Sequence, residues 1–118
     1  MILADTSVWI EHFRRGLPAL AAELEAGTIL MHPFVLGELA CGHLNRRREI
    51  LKLCADLPQA PVARDDEALQ FIETRALMGR GIGYIDVHLL AATALGAARL
   101  WTLDKRLAET SSELGLAH

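Results

Sequence analysis

Short apolar runs alternate with longer segments of helical period along this chain. Ile2-Leu3-Ala4 opens it and stops at Asp5-Thr6-Ser7, whose side chains accept from free backbone N–H groups, so a buried strand followed by a capped helix is predicted. That helix runs to about Phe13 and is broken at Arg14-Arg15-Gly16. Leu17 to Ala26 has helical pattern, with Pro18 in the first turn and Gly27 as the stop. A second short strand spans Thr28 to Met31, and His32-Pro33 forms a junction. Helices follow over about Phe34–Leu44 and Arg46–Leu57, with Pro58 beyond the second. Pro61-Val62-Ala63 reads as a weak edge strand.

Asp65 to Met78 is an amphipathic helix with acids at its start, where the helix dipole favours them. Gly79 to Gly83 is a loop, Tyr84 to Ala98 an apolar helix and Leu100 to Leu103 another strand. Asp104-Lys105-Arg106 opens a short helical segment, and the last residues carry little signal. Strands this short and apolar, alternating with helices, predict an α/β fold whose parallel sheet is covered on both faces. Such sheets place their chemistry beyond the carboxyl ends of the strands.

A length of 118 residues fits one domain over 1–118, and 52% hydrophobic residues allow a sizeable core. No apolar run approaches the roughly 18 residues of a membrane span, and the start of the chain has no positively charged leader region. A cytoplasmic protein without membrane association is expected. Cys41 and Cys54 form no Cys-x-x-Cys pattern and lie in apolar helical context, so two core thiols are expected rather than a disulfide or zinc site. The net charge of −3 argues against an indiscriminate nucleic-acid binder. Discounting four acids that bind metal ions leaves +1, so the acidic balance does not exclude a metal-dependent nuclease.

Four acids stand out. Asp5 directly follows the first strand and Asp104 the strand Leu100–Leu103, so parallel pairing would bring both to one sheet edge. Asp86 lies in the first turn of an apolar helix, and Glu38 lies within the apolar stretch Phe34-Val35-Leu36-Gly37-Glu38-Leu39-Ala40. Burying such a set without cations is expensive, through both desolvation and mutual repulsion. Hard divalent ions, Mg²⁺ or Mn²⁺, match an all-carboxylate set, whereas no His–Cys cluster favours zinc. Taken singly, each acid reads as well as a helix cap or a solvated residue. The shared site rests on all four being placed where a parallel sheet would converge them.

The stretches around these acids resemble the PIN-domain family. The matching pieces are Ile2-Leu3-Ala4-Asp5-Thr6-Ser7-Val8-Trp9-Ile10, Gly37-Glu38-Leu39, Gly83-Tyr84-Ile85-Asp86-Val87-His88-Leu89-Leu90-Ala91-Ala92-Thr93-Ala94 and Leu100-Trp101-Thr102-Leu103-Asp104-Lys105-Arg106. Their order and separation agree over nearly the whole chain, and a small version of the domain is similar to the VapC-type toxins. The resemblance implies a three-layer α/β/α sandwich and a Mg²⁺- or Mn²⁺-dependent ribonuclease. It further implies a homodimer, and inhibition by a VapB-like antitoxin. It assigns Asp5, Glu38, Asp86 and Asp104 as catalytic, with Asp5, Asp86 and Asp104 on the metal and a metal-activated water attacking the RNA phosphodiester. It assigns Thr6 or Ser7 as the small hydroxyl beside the first acid and Thr102 as a supporting polar residue. Such chains usually carry another strand after Asp104; here Ser111 to His118 is short, which leaves the sheet edge open.

Gly79-Arg80-Gly81-Ile82-Gly83 lacks the Gly-Lys-Ser/Thr ending of a nucleotide loop, so it reads as a connector from which Arg80 could touch RNA phosphate. Arg46-Arg47-Arg48 reads as solvated surface, with RNA or partner contact as the alternative. The five histidines show no ligand spacing and none reads as a general base. Trp9, Phe13, Phe34 and Phe71 read as core or interface, since 5% aromatic content does not make a base-stacking surface. Three other functions compete with this reading. A haloacid-dehalogenase-type phosphatase is disfavoured because Ser7 stands where a second Asp is needed. A non-enzymatic metal or partner module would not cleave RNA. A housekeeping RNA-processing nuclease would lack an antitoxin partner.

Overall fold

The computed structural model describes residues 1–118. The elements run β1 (Ile2–Ala4), α1 (Thr6–Arg15), α2 (Pro18–Glu25), β2 (Ile29–Leu30), α3 (Pro33–Cys41), α4 (Arg47–Ala55), α5 (Asp65–Arg75), α6 (Tyr84–Leu95), β3 (Arg99–Trp101) and α7 (Lys105–Glu113). The sheet has the order β2-β1-β3 and is parallel throughout. Ile2 pairs with Ile29 and Arg99, Leu3 with Leu30 and Leu100, and Ala4 with Trp101. Successive strand residues point to opposite faces. Ile2, Leu3 and Ala4 are all buried, so the central strand is covered on both sides.

The outer positions of the sheet differ from the expected ones. No strand forms at Pro61-Val62-Ala63; the edge pairing is a bridge between Met31 and Gln59. Met31 donates its N–H to Pro58 O at 2.8 Å and accepts from Ala60 N–H at 2.9 Å. Pro61 has no N–H with which to carry that ladder further. On the opposite edge, Leu100 donates to Leu116 O and accepts from His118 N–H at 2.7 and 2.9 Å, so the end of the chain pairs beside β3.

Helix ends also move inward. Gly42 terminates α3 before Leu44. Ala76, at φ 54°, terminates α5 with Leu77 N–H bonded back to Ile72 O. Gly96 and Ala97 (φ 48°) terminate α6, with Ala98 N–H returned to Thr93 O. The left-handed residues Ala76 and Ala97 let the chain turn back and satisfy the last carbonyls of α5 and α6. In contrast, α1 runs two residues beyond Phe13, and Gly16, at φ 75°, ends it.

The core centres on β1 and α6. Val87 to Thr93 are all buried, so α6 is enclosed on every side for nearly two turns and its sequence shows little amphipathic contrast. Thr93 is accommodated by donating to Leu89 O at 2.7 Å. Cys54 is buried as expected, but Cys41 is exposed at the end of α3, and neither forms a disulfide. Residue 41 falls on the outward face of a short helix, which an apolar neighbourhood in sequence does not reveal. No helix is long and apolar enough to cross a membrane. Leu90 is fully buried within α6. Leu90→Ala should therefore lower the unfolding free energy by about 2–5 kcal/mol, measured by urea denaturation. A loss below about 1 kcal/mol would contradict this packing.

Candidate active site

Parallel register puts the ends of β1 and β3 side by side, and the first and last acids leave the sheet there. Asp5 N–H donates to Trp101 O at 2.9 Å, which continues the ladder by one bond. Each acid then caps a helix. Asp5 Oδ1 accepts from Ser7 N–H and Val8 N–H at 3.0 and 3.4 Å, and Asp104 Oδ1 accepts from Leu107 N–H at 2.9 Å. Asp86 sits at the third position of α6 and reaches back to accept from Gly83 N–H at 3.0 Å through Oδ2. Glu38 comes from the second turn of α3.

Three hydroxyls fix these carboxylates. Thr102 Oγ1 donates to Asp5 Oδ2 at 2.7 Å and accepts from Asp104 N–H at 3.0 Å, so one side chain ties the first acid to the backbone of the last. Ser7 Oγ donates to Asp5 Oδ1 and accepts from Leu103 N–H at 2.9 Å. Thr6 Oγ1 donates to Glu38 Oε1 at 2.7 Å and links α1 to α3. Thr6 and Ser7, weighed as alternatives from the sequence, thus do different things: one holds Glu38 and the other Asp5. Glu38, Asp86 and Asp104 each have one oxygen held by the chain and a second without a partner in it.

The burial expected for the four acids is only partly found. Asp5 is 6% exposed and Asp86 half-buried, whereas Glu38 and Asp104 are exposed. The apolar neighbours of Glu38 lie on other faces of α3, and β3 spans Arg99–Trp101 rather than Leu100–Leu103, so Asp104 stands three residues beyond the strand, at the exposed rim. Repulsion nevertheless reaches across the group. Burial pushes the Asp86 carboxyl above its ordinary range, the Gly83 N–H pulls it down, and the charges of Asp104, Asp5 and Glu38 push it up again. No lysine or arginine lies within 4 Å of any of the four; the ion pairs of the molecule are all elsewhere.

An uncompensated group of carboxylates with free oxygens is a donor set for a hard divalent cation. As the side chains stand, no three of them meet at one ion-sized point. A hard divalent ion that keeps several of its waters and takes one or two carboxylates directly does not need three to meet. The residues therefore fit such an ion, held in part through water.

The cationic residues are arranged differently from the expectation for Arg80. Its guanidinium pairs with Glu113 of α7 at 2.5 Å, which turns it toward that helix. Arg106, two residues beyond Asp104, has no acidic partner and runs under the loop before α6: a Cβ on Gly81 would come within 2.6 Å of its Nη1. Gly81 also has φ +75°, and that backbone conformation favours glycine there, whereas the flexible end of the Arg106 side chain could shift. Arg106 was not singled out from the sequence; its place just after the last acid was the available signal. In the Arg46–Arg48 run, Arg46 pairs with Glu49 and Arg47 donates to Ala40 O and Gly42 O, so these two serve local structure.

A PIN domain model matches residues 2–113. The chain is 49% identical over 121 aligned positions to Ribonuclease VapC32 of Mycobacterium tuberculosis strain CDC 1551 / Oshkosh, with 99% of this chain and 95% of that protein covered. It matches Ribonuclease VapC32 of strain ATCC 25618 / H37Rv with the same identity and coverage.

Two outcomes follow from this geometry. Thr102→Val removes the donor to a buried carboxylate and strands the Asp104 N–H, and should destabilise the protein by about 1.5–3 kcal/mol in denaturant titration. Asp86 has a folded pKa raised above its unfolded value of 3.8, so its neutral form is the one the fold favours. That contribution is complete below 3.8 and is lost as pH rises through the folded value. Asp86→Asn should therefore melt higher than wild type in EDTA at pH 7, and the gap should narrow as pH falls toward 4. A gap independent of pH would contradict the raised Asp86 pKa.

Proposed function

The chain belongs to the PIN-domain family, and from that premise we propose that it is a VapC-type ribonuclease that hydrolyses RNA with Mg²⁺ or Mn²⁺ as the toxin half of a VapBC-type pair. The observation that carries the reading is the gathering of Asp5, Glu38, Asp86 and Asp104 at one edge of the parallel sheet without a lysine or arginine among them. The identity to two proteins named as ribonucleases over nearly the whole chain supports it.

In this reading Asp5 and Asp104 are the direct metal ligands, Asp86 binds directly or through water, and Glu38 holds a water or a second ion. A bound Mg²⁺ or Mn²⁺ supplies positive charge that makes water easier to deprotonate and stabilises the attacking and leaving oxygens. Ser7 and Thr102 keep Asp5 from turning away, and Thr6 does the same for Glu38. Glu38, Asp86 and Asp104 each keep one oxygen that no group of the chain occupies. Water attacking the phosphorus with the 3′-oxygen as leaving group gives a 5′-phosphate and a 3′-hydroxyl. Arg80 meets an RNA phosphate by releasing Glu113, while Arg106 has no acid to release.

The antitoxin has a surface suited to it on the same reading. A cleft of about 200 Å³ is lined by Trp9, Phe13, Leu24, Ile50, Leu53 and Leu57. A second, of about 770 Å³, shares Phe13 and Ile50 with it and extends to Glu38. An apolar helix seated in the first would thus continue toward the acids. The reading places the protein in the cytoplasm as a homodimer; two unpaired thiols agree with a reducing compartment.

The test is cleavage of a mixed cellular RNA pool by purified, antitoxin-free protein in Mg²⁺, Mn²⁺ or EDTA, beside Asp5→Asn. Cleavage should require metal and fall by about 10²-fold or more in the variant, a loss of about 2.7 kcal/mol in transition-state stabilisation. Full metal-dependent cleavage by Asp5→Asn would overturn the site. Metal-independent cleavage would overturn the ion.

A further inference from the structure

Asp86 reaches the site from the first turn of α6, and that turn is gripped from its other side by residues outside the acidic group. Tyr84 and His88 are four positions apart and share one face of the helix, while Asp86, midway between them, lies on the opposite face. Tyr84 Oη donates to Asp65 Oδ1 at 3.0 Å, and His88 Nε2 meets the same oxygen at 3.2 Å. An ionised Asp65 only accepts, so Nε2 carries the hydrogen and the buried Nδ1 is left as an acceptor without a partner. The His88 ring, 1% exposed, stands edge-on to Tyr84 at 4.7 Å and to Phe34 at 4.9 Å. Phe34 stands edge-on to His32 at 5.1 Å, and His32 Nδ1 caps α3 by accepting from Phe34 N–H at 3.0 Å.

This row of rings joins the start of α3, four residues before Glu38, to the start of α6, where Asp86 sits. Asp65, the first residue of α5, closes it from outside. The turn needs such a hold. The loop before it contains two glycines at positive φ, Gly79 and Gly81, and its capping residue Gly83 has no side chain. The charges of Asp104, Asp5 and Glu38 repel the Asp86 carboxylate.

We propose that Asp65 is a positioning residue for the metal centre: by holding Tyr84 and His88 on one carboxylate oxygen, it fixes the rotation and height of the first turn of α6, and with it the place of Asp86 relative to Glu38, Asp5 and Asp104. The proposal rests on the metal-dependent reading above. Asp65 has 83% of its side chain exposed, so its removal loses no core packing, although it leaves the Nε2–H of the buried His88 ring without its acceptor.

The experiment is calorimetric titration of Mn²⁺ into the purified full chain, together with amide exchange of the metal-free protein. Residues that orient ligands directly are worth about 10–100-fold in metal affinity, and Asp65 acts one step further out, so Asp65→Ala should weaken Mn²⁺ binding by about five- to tenfold. In the same variant without metal, the Val87 amide, which donates to Gly83 O at 3.1 Å, should exchange faster. Asp65→Asn keeps an oxygen that accepts both bonds and should retain both affinity and protection. Tyr84→Phe removes one bond and almost no volume, and should weaken binding by about twofold, half the logarithmic effect at most. That variant decides the matter if Asp65→Ala fails to fold, and wild-type affinity in it would then overturn the proposal. Unchanged affinity and exchange in Asp65→Ala would overturn the proposal and leave the metal centre standing. Asp65→Asn as weak as Asp65→Ala would assign the effect to charge and overturn the positioning role. No Mn²⁺ binding by wild type would overturn both readings.

Discussion

Asp5 is the one fully buried acid at the site, and its environment explains both its burial and the arrangement around it. A carboxylate withdrawn from water needs hydrogen bonds to its oxygens or a cation. Here the turn it caps supplies backbone donors, and Ser7 and Thr102 supply hydroxyls. Because Thr102 follows β3 and Ser7 follows β1, the same bonds that satisfy Asp5 also lock the two strand ends together. Thr102 and Ser7 each pass the connection on by accepting from Asp104 N–H and Leu103 N–H. The rim from which Asp104 projects is thus held by the needs of one buried charge.

The other acids obey a different balance. Glu38 and Asp104 remain in water, where desolvation costs little, and only Asp86 combines partial burial with pressure from its neighbours. A fold that assembles such charges without cations accepts repulsion in the metal-free state. Hydroxyls, backbone caps and the Asp65 contact resist that repulsion from outside the group. The distribution of bonds, with one oxygen anchored and one unpartnered on three of the acids, restricts side-chain rotation while leaving acceptors free.

Much of the architecture was legible in the chain. Apolar runs of three or four residues ending in cap residues located β1, β2 and β3, because such strands are buried on both faces and cannot alternate. Pro18, Gly27 and the Gly79–Gly83 loop marked boundaries, because their backbone limits act locally. The edge at Gln59 rather than at Pro61–Ala63 was not legible, since it depends on which carbonyl Met31 faces across space. The pairing of Leu116–His118 beside β3 was hidden for the same reason: a polar, glycine-containing end becomes an edge only when a partner strand presents open backbone groups.

The sequence by itself determined the element order, the acids at the ends of those elements and the hydroxyls beside Asp5. These follow from near-neighbour rules of capping and periodicity. Only the tertiary structure decided that Thr6 serves Glu38 while Ser7 serves Asp5, that Arg80 turns to Glu113, that Cys41 faces water, and that Asp65 grips Tyr84 and His88. The Thr6–Glu38, Arg80–Glu113, Asp65–Tyr84 and Asp65–His88 contacts depend on the rotation of one element against another: their residues lie 19 to 33 positions apart in the chain, and local pattern carries no information about that rotation.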